Sequence, residues 1–273
     1  MRTSMDDGDS PISRLARRHR WLPFVLPFLV YMMIGLFEPQ PETRENKGQR
    51  APGTVAAESE LEAGGSGWSI PYRQYPVFYL VRFLLSVAVL IPFLPTLFQF
   101  TPRVTLFAVA CGVAGGLLWI GLCRLDLETM IASWWGVEDW LAAGNRVGFD
   151  PFTTLEHSPS YQVLFLGVRF LGLVLLVPVI EEFFLRGFVM RFVLEADWWS
   201  IPIGQPRASA IIAGTCYGIL THPTEALAAA VWFSLVTLLA CKTRNIWDAI
   251  AAHATTNLLL GLYVVLWKDW SLW

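Results

Sequence analysis

Two adjacent carboxylates, Glu181 and Glu182, interrupt an otherwise apolar run, Val177-Pro178-Val179-Ile180-Glu181-Glu182-Phe183-Phe184-Leu185-Arg186-Gly187. In a helix Glu182 and Arg186 lie four apart on one face and can pair. Glu181 then points about a third of a turn away, so one carboxylate is held and the other stays free. His222 closes a second apolar stretch that contains Gly214 and Gly218. In a third, His253 and Asn257 are four apart on one face, among alanines and threonines that let a neighbouring helix approach closely. Taken singly, each has an ordinary explanation: interfacial charge, a hydrogen-bonded helix end, a helix–helix contact. Taken together they change the reading. A carboxylate, imidazoles and an amide brought to one cavity are the parts needed to activate water and to stabilise the oxyanion formed when it attacks an amide. A charge near the bilayer centre costs roughly 2.5–3.5 kcal/mol on insertion scales, so an ionisable group there has a partner or a task.

These side chains must be carried by membrane helices. The chain is 55% hydrophobic and only 15% charged, with a mean hydropathy of +0.49, which suits a bilayer and not water. Apolar spans run over Trp21–Phe37, Tyr75–Phe98, Val104–Cys123, Tyr161–Ile180, Ala208–Leu220, Glu225–Ala240 and Ile246–Leu266, each near the length that crosses a hydrocarbon core. Phe183–Leu194 is too short to span alone; it extends toward Trp199 or lies along the interface. The expectation is an all-α, polytopic transmembrane helical bundle of seven or eight helices. Trp134, Trp135, Trp140, Trp198, Trp199, Trp267, Trp270 and Trp273 stand where apolar runs end, as an interfacial belt. Trp21–Phe37 lacks a small-x-small cleavage site and reads as a retained anchor.

The domain reading is a basic N-terminal tail (1–20), N-terminal membrane helices (21–160) with loops outside the cytoplasm at about 38–74 and 124–160, a core at 161–266 and a tail at 267–273. The first loop is rich in Pro, Glu and Gly and reads as flexible. Arg14, Arg17, Arg18, Arg20, Arg103, Arg186, Arg191, Arg207, Lys242 and Arg244 fall on one side of alternating crossings. The positive-inside rule therefore places the N-terminus in the cytoplasm. Arg82 and Arg169 lie within spans and have stems long enough to snorkel. Arg169, nearer its span centre, is expected to face the bundle interior in a structural contact. Cys111, Cys123, Cys216 and Cys241 are widely separated, with no CxxC, and read as small buried hydrophobes. No basic tract of nucleic-acid type is present, so no nucleic-acid partner is expected.

Glu181-Glu182-x-x-x-Arg186, then His222, then His253-x-x-x-Asn257, in this order on successive helices, resembles the CPBP family. These are the CAAX-processing and bacteriocin-processing intramembrane endopeptidases, also called the ABI or type II CAAX protease family. The resemblance covers about 161–266, and the Trp-rich region and tail are similar to a CAAX-protease-related branch linked to exosortase systems. It implies a cavity open toward the cytoplasmic side, with Glu181 as general base on water and His222 holding and polarising that water. Glu182 and Arg186 would be supporting residues, and His253 and Asn257 would stabilise the oxyanion. The family carries an aromatic four residues before its middle histidine; Gly218 stands there, with Tyr217 one place earlier, which puts the substrate-facing wall in question. No cofactor is expected. Zinc held by Glu181, His222 and His253 is the alternative, although no HExxH motif exists.

The expected partners are membrane lipid and a protein or peptide substrate near the cytoplasmic face, in a bacterial inner membrane. Oligomeric state and substrate identity are open. Two other classes compete: a non-catalytic scaffold or immunity factor of the same family, and a proton-coupled transporter. The transporter predicts symmetry between halves, and the sequence has no internal repeat.

Overall fold

The computed structural model describes residues 11–39, 70–136 and 148–272. The flexible-loop reading of 38–74 therefore falls almost wholly outside the described residues, as do Trp140 and Trp273. Among the described residues there is no strand, and ten helices follow one another. These are α1 (Pro11–Arg18), α2 (Leu22–Gly35), α3 (Tyr72–Leu97), α4 (Leu106–Leu125), α5 (Leu127–Trp135), α6 (Pro151–Thr154), α7 (Pro159–Phe192), α8 (Ala208–Thr221), α9 (Ala226–Thr243) and α10 (Ile246–Trp267). Helices α3, α4, α7, α9 and α10 are long and apolar enough to cross a membrane, while α2 and α8 are shorter apolar helices. The chain is an all-α membrane bundle. Large apolar side chains such as Leu106, Leu117, Val163 and Leu220 are more than half exposed on its outside. Lipid covers such a surface; in water it would be an aggregation liability.

Local chemistry explains where the helices begin and end. Thr105 caps α4 by accepting from the Ala108 N–H. Asn245 caps α10 by accepting from the Trp247 N–H, directly after Arg244 ends α9 in a left-handed conformation (φ 51°). The α9–α10 reversal is therefore only two residues long. Two further bonds tie it to the α3–α4 link: Asn245 donates to the Arg103 carbonyl (2.6 Å), and Asp248 accepts from the Thr105 N–H (2.8 Å). Glycine makes the main seam possible. A Cβ on Gly112 would meet the Ala252 carbonyl, so α4 lies directly on α10.

The structure corrects the separate short segment expected at Phe183–Leu194. It is the continuation of span four, and α7 runs unbroken for 34 residues. Two π-helical stretches, Gly172–Leu176 and Leu185–Val189, bracket the α-helical turns that carry Glu181 and Glu182. Such bulges insert a residue without ending the helix.

The tryptophan belt is corrected in part. Trp134 and Trp267 are exposed at helix ends, but Trp198 and Trp270 are buried. Trp198 belongs to an aromatic layer that closes one end of the bundle. Phe24 is its centre, with ring centroids 5.2 Å from Trp198, 5.8 Å from Phe183 and 6.1 Å from Phe100. Trp247 adds a fourth wall, 5.9 Å from Phe183. Arg191 clamps the following link onto α7 by donating to the carbonyls of Gly187, Trp199 and Ile201.

Candidate active site

Glu181 and Glu182 project from α7 into the middle of the bundle, 8% and 0% exposed. The pairing expected from spacing is present: Arg186 Nη1 donates to Glu182 Oε1 at 2.9 Å, and its Nη2 reaches the Phe233 carbonyl at 3.2 Å. The same Glu182 oxygen lies 2.9 Å from His253 Nδ1. Arg186, Glu182 and His253 thus form one buried chain. It fixes the imidazole from behind and turns its Nε2 toward Glu181, 3.9 Å from Oε2. Trp232 packs edge-on against the imidazole, with centroids 4.7 Å apart, and donates from its indole N–H to Thr256 Oγ1 at 3.0 Å.

Glu181 has a partner that the spacing did not reveal. Tyr217 donates its hydroxyl to Glu181 Oε1 at 3.0 Å, from α8 to α7. Sequence reasoning met Tyr217 only as an aromatic one place away from the family position. That position, Gly218, is accounted for by packing. A Cβ there would collide with the Phe233 ring of α9. The aromatic wall beside His222 is thus built by Phe233, its centroid 5.7 Å from the imidazole, and by Trp119, 5.4 Å away. A hydrogen bond to a charged group is worth about 1.5–3 kcal/mol. We expect Tyr217→Phe to lower kcat/KM for peptide cleavage by roughly tenfold without reducing the amount of folded protein. Unchanged kcat/KM would remove Tyr217 from the site.

Asn257 is placed by a backbone irregularity. Its Nδ2 donates to the Leu173 carbonyl at 2.8 Å. Leu173 lies in the first π stretch, five residues before Pro178. The N–H that would close a π turn on that carbonyl is missing in proline, and Asn257 replaces it. The amide retains a second N–H. His222 ends α8, its Nδ1 3.0 Å from Thr221 Oγ1 and 3.3 Å from the Gly218 carbonyl.

Glu181, His222, His253 and Asn257 line one cavity of about 570 Å³, within the range of ligand clefts. Arg82 and Arg169 line it too and are both buried. Arg82 pairs with Glu38 at 2.9 Å, and Arg169 donates to the Tyr75 hydroxyl at 2.8 Å. From Glu181 the cavity passes Leu173 and Arg169 and reaches the bundle end that carries Glu38, Tyr72, Gly148 and Leu272. The aromatic layer around Phe24 closes the other end, where the basic cluster lies. The basic cluster and the end that the cavity reaches therefore lie at opposite ends of the bundle. Among the described residues no group of three or more His, Cys, Asp or Glu side chains stands together in a way that could hold a metal ion.

Residues 163–259 match the family model described as type II CAAX prenyl endopeptidase Rce1-like. The stretch contains every residue of the acid, imidazole and amide cluster and bears out the CPBP resemblance over that range. None of the curated proteins and none of the solved structures compared with the chain matches it.

Proposed function

On the premise that residues 163–259 are an Rce1-like endopeptidase domain, we propose that the chain hydrolyses a peptide bond of a membrane-associated protein or peptide. Glu181 is the general base that takes a proton from water, and His222, which lines the same cavity, holds and polarises that water. Attack on the scissile carbonyl makes a tetrahedral oxyanion, which accepts from His253 Nε2–H and from the free N–H of Asn257. With Nδ1–H held by Glu182, His253 donates from Nε2 only as the imidazolium. The buried Glu182 carboxylate is placed to balance that charge. The proton on Glu181 then passes to the leaving amine. No step uses a metal.

The observation that carries this reading is the facing pair of Glu181 and His253, each supported from behind at the wall of one cavity. A scaffold or immunity factor has no need of a free carboxylate backed by a tyrosine. The test is cleavage of membrane-anchored peptides by the purified chain in proteoliposomes, with and without a zinc chelator. Cleavage is expected, with rates within about twofold in the two conditions. Activity that disappears with chelator and returns with zinc would overturn the metal-free mechanism; no cleavage of any anchored peptide would favour the scaffold.

A further inference from the structure

The cavity and the membrane charges together say from which side the substrate comes. Four arginines, Arg14, Arg17, Arg18 and Arg20, directly precede α2, and the short links at Arg103 and at Lys242–Arg244 lie at the same end of the bundle. The opposite end carries Asp126, Glu128, Asp150, Glu156 and Asp269 among its described residues, beside the cations Arg73, Arg124 and Lys268, with Arg124 4.0 Å from Asp269. The α2–α3 connection adds Arg44, Lys47 and Arg50, but among six glutamates and after the first anchor. The arginine cluster before that anchor usually decides orientation. The basic end is therefore cytoplasmic, and it is the end sealed by Phe24, Phe183, Phe100 and Trp198. The cavity reaches the other end, at Glu38, Tyr72 and Leu272.

We propose that the cavity opens on the extracytoplasmic side and that its substrate is a translocated, membrane-tethered polypeptide whose scissile segment enters from that side. A cytoplasmic chain would have to displace the ring layer and the link that Arg191 clamps. The identity of the guest as a peptide rests on the endopeptidase reading; the facing of the cavity does not.

The experiment separates the two. The four cysteines are replaced by alanine, and one cysteine is returned as Arg73→Cys at the acidic end, Leu260→Cys in the cavity wall or Arg103→Cys at the basic end. Spheroplasts are treated with a small membrane-impermeant thiosulfonate, and remaining thiols are then counted with a maleimide after solubilisation. Arg73→Cys and Leu260→Cys are expected to lose most of their maleimide labelling in intact spheroplasts, and Arg103→Cys only after permeabilisation. Leu260→Cys protected until permeabilisation, or unreactive in both conditions while Arg73→Cys reacts, would overturn the proposal. If the cysteine-free chain does not fold, alkaline phosphatase fused after Trp273 of the native chain reads the same facing. It is expected to be active, and inactivity would overturn the proposal. A cavity that labels from outside in a protein that cleaves nothing would remove the endopeptidase reading and leave the facing intact.

Discussion

Glu181→Gln is expected to lower peptide cleavage by about 10²–10⁴-fold, the usual contribution of a positioned general base, or about 3–5 kcal/mol of barrier. The fold is expected to survive. The amide oxygen of glutamine still accepts from Tyr217, and the side-chain volume is unchanged, so the α7–α8 contact persists. Glu181→Asp is expected to fall nearly as far, because retracting the carboxylate by one methylene moves it away from both Tyr217 and His253. Displacement by about 1 Å can cost 10²-fold. The measurement is kcat in proteoliposomes, with thermal unfolding of the same preparations as the control. Glu181→Gln with at least a tenth of wild-type kcat would end the mechanism. Loss of activity with loss of fold would indicate a structural role.

How much of this was legible depends on the distance over which each contact is decided. Glu182–Arg186 is local, since helix geometry alone sets four residues on one face, and the pair stands at 2.9 Å. The membrane helices were legible for the same reason, because hydropathy is summed along the chain. Contacts between helices were not. Tyr217 meets Glu181, and His253 meets Glu182, only once α8 and α10 are packed on α7, and neither spacing nor composition encodes that packing. The merging of Phe183–Leu194 into α7 depends on π turns that no residue pattern announces. The end of the bundle that the cavity reaches was not legible either, because it is set by which segments pack together. The rings that close the basic end come from five separate segments, and their meeting point is visible only in three dimensions.

Arg186→Met is expected to destabilise the chain by about 3–5 kcal/mol, the usual result of removing one partner from a buried ion pair. Arg186 is 1% exposed and Glu182 fully buried, and among the described residues Glu182 Oε2 has no hydrogen-bond partner. Its charge is therefore balanced through Oε1 alone, by Arg186 and His253. Glu182→Leu combined with Arg186→Met removes both charges together and is expected to recover most of the lost stability, since apolar replacement of a buried pair is often neutral. Activity should not follow stability back. In the double variant nothing holds His253 Nδ1 or balances an imidazolium, so Nε2 loses the protonation and aim that an oxyanion donor requires. Thermal unfolding and cleavage, read on the same samples, are thus expected to part company: stability low then restored, activity low in both. A single variant as stable as wild type would show that the pair is not coupled in this way. A restored double variant with wild-type activity would show that Glu182 does nothing for His253, and the oxyanion role would then have to rest on Asn257.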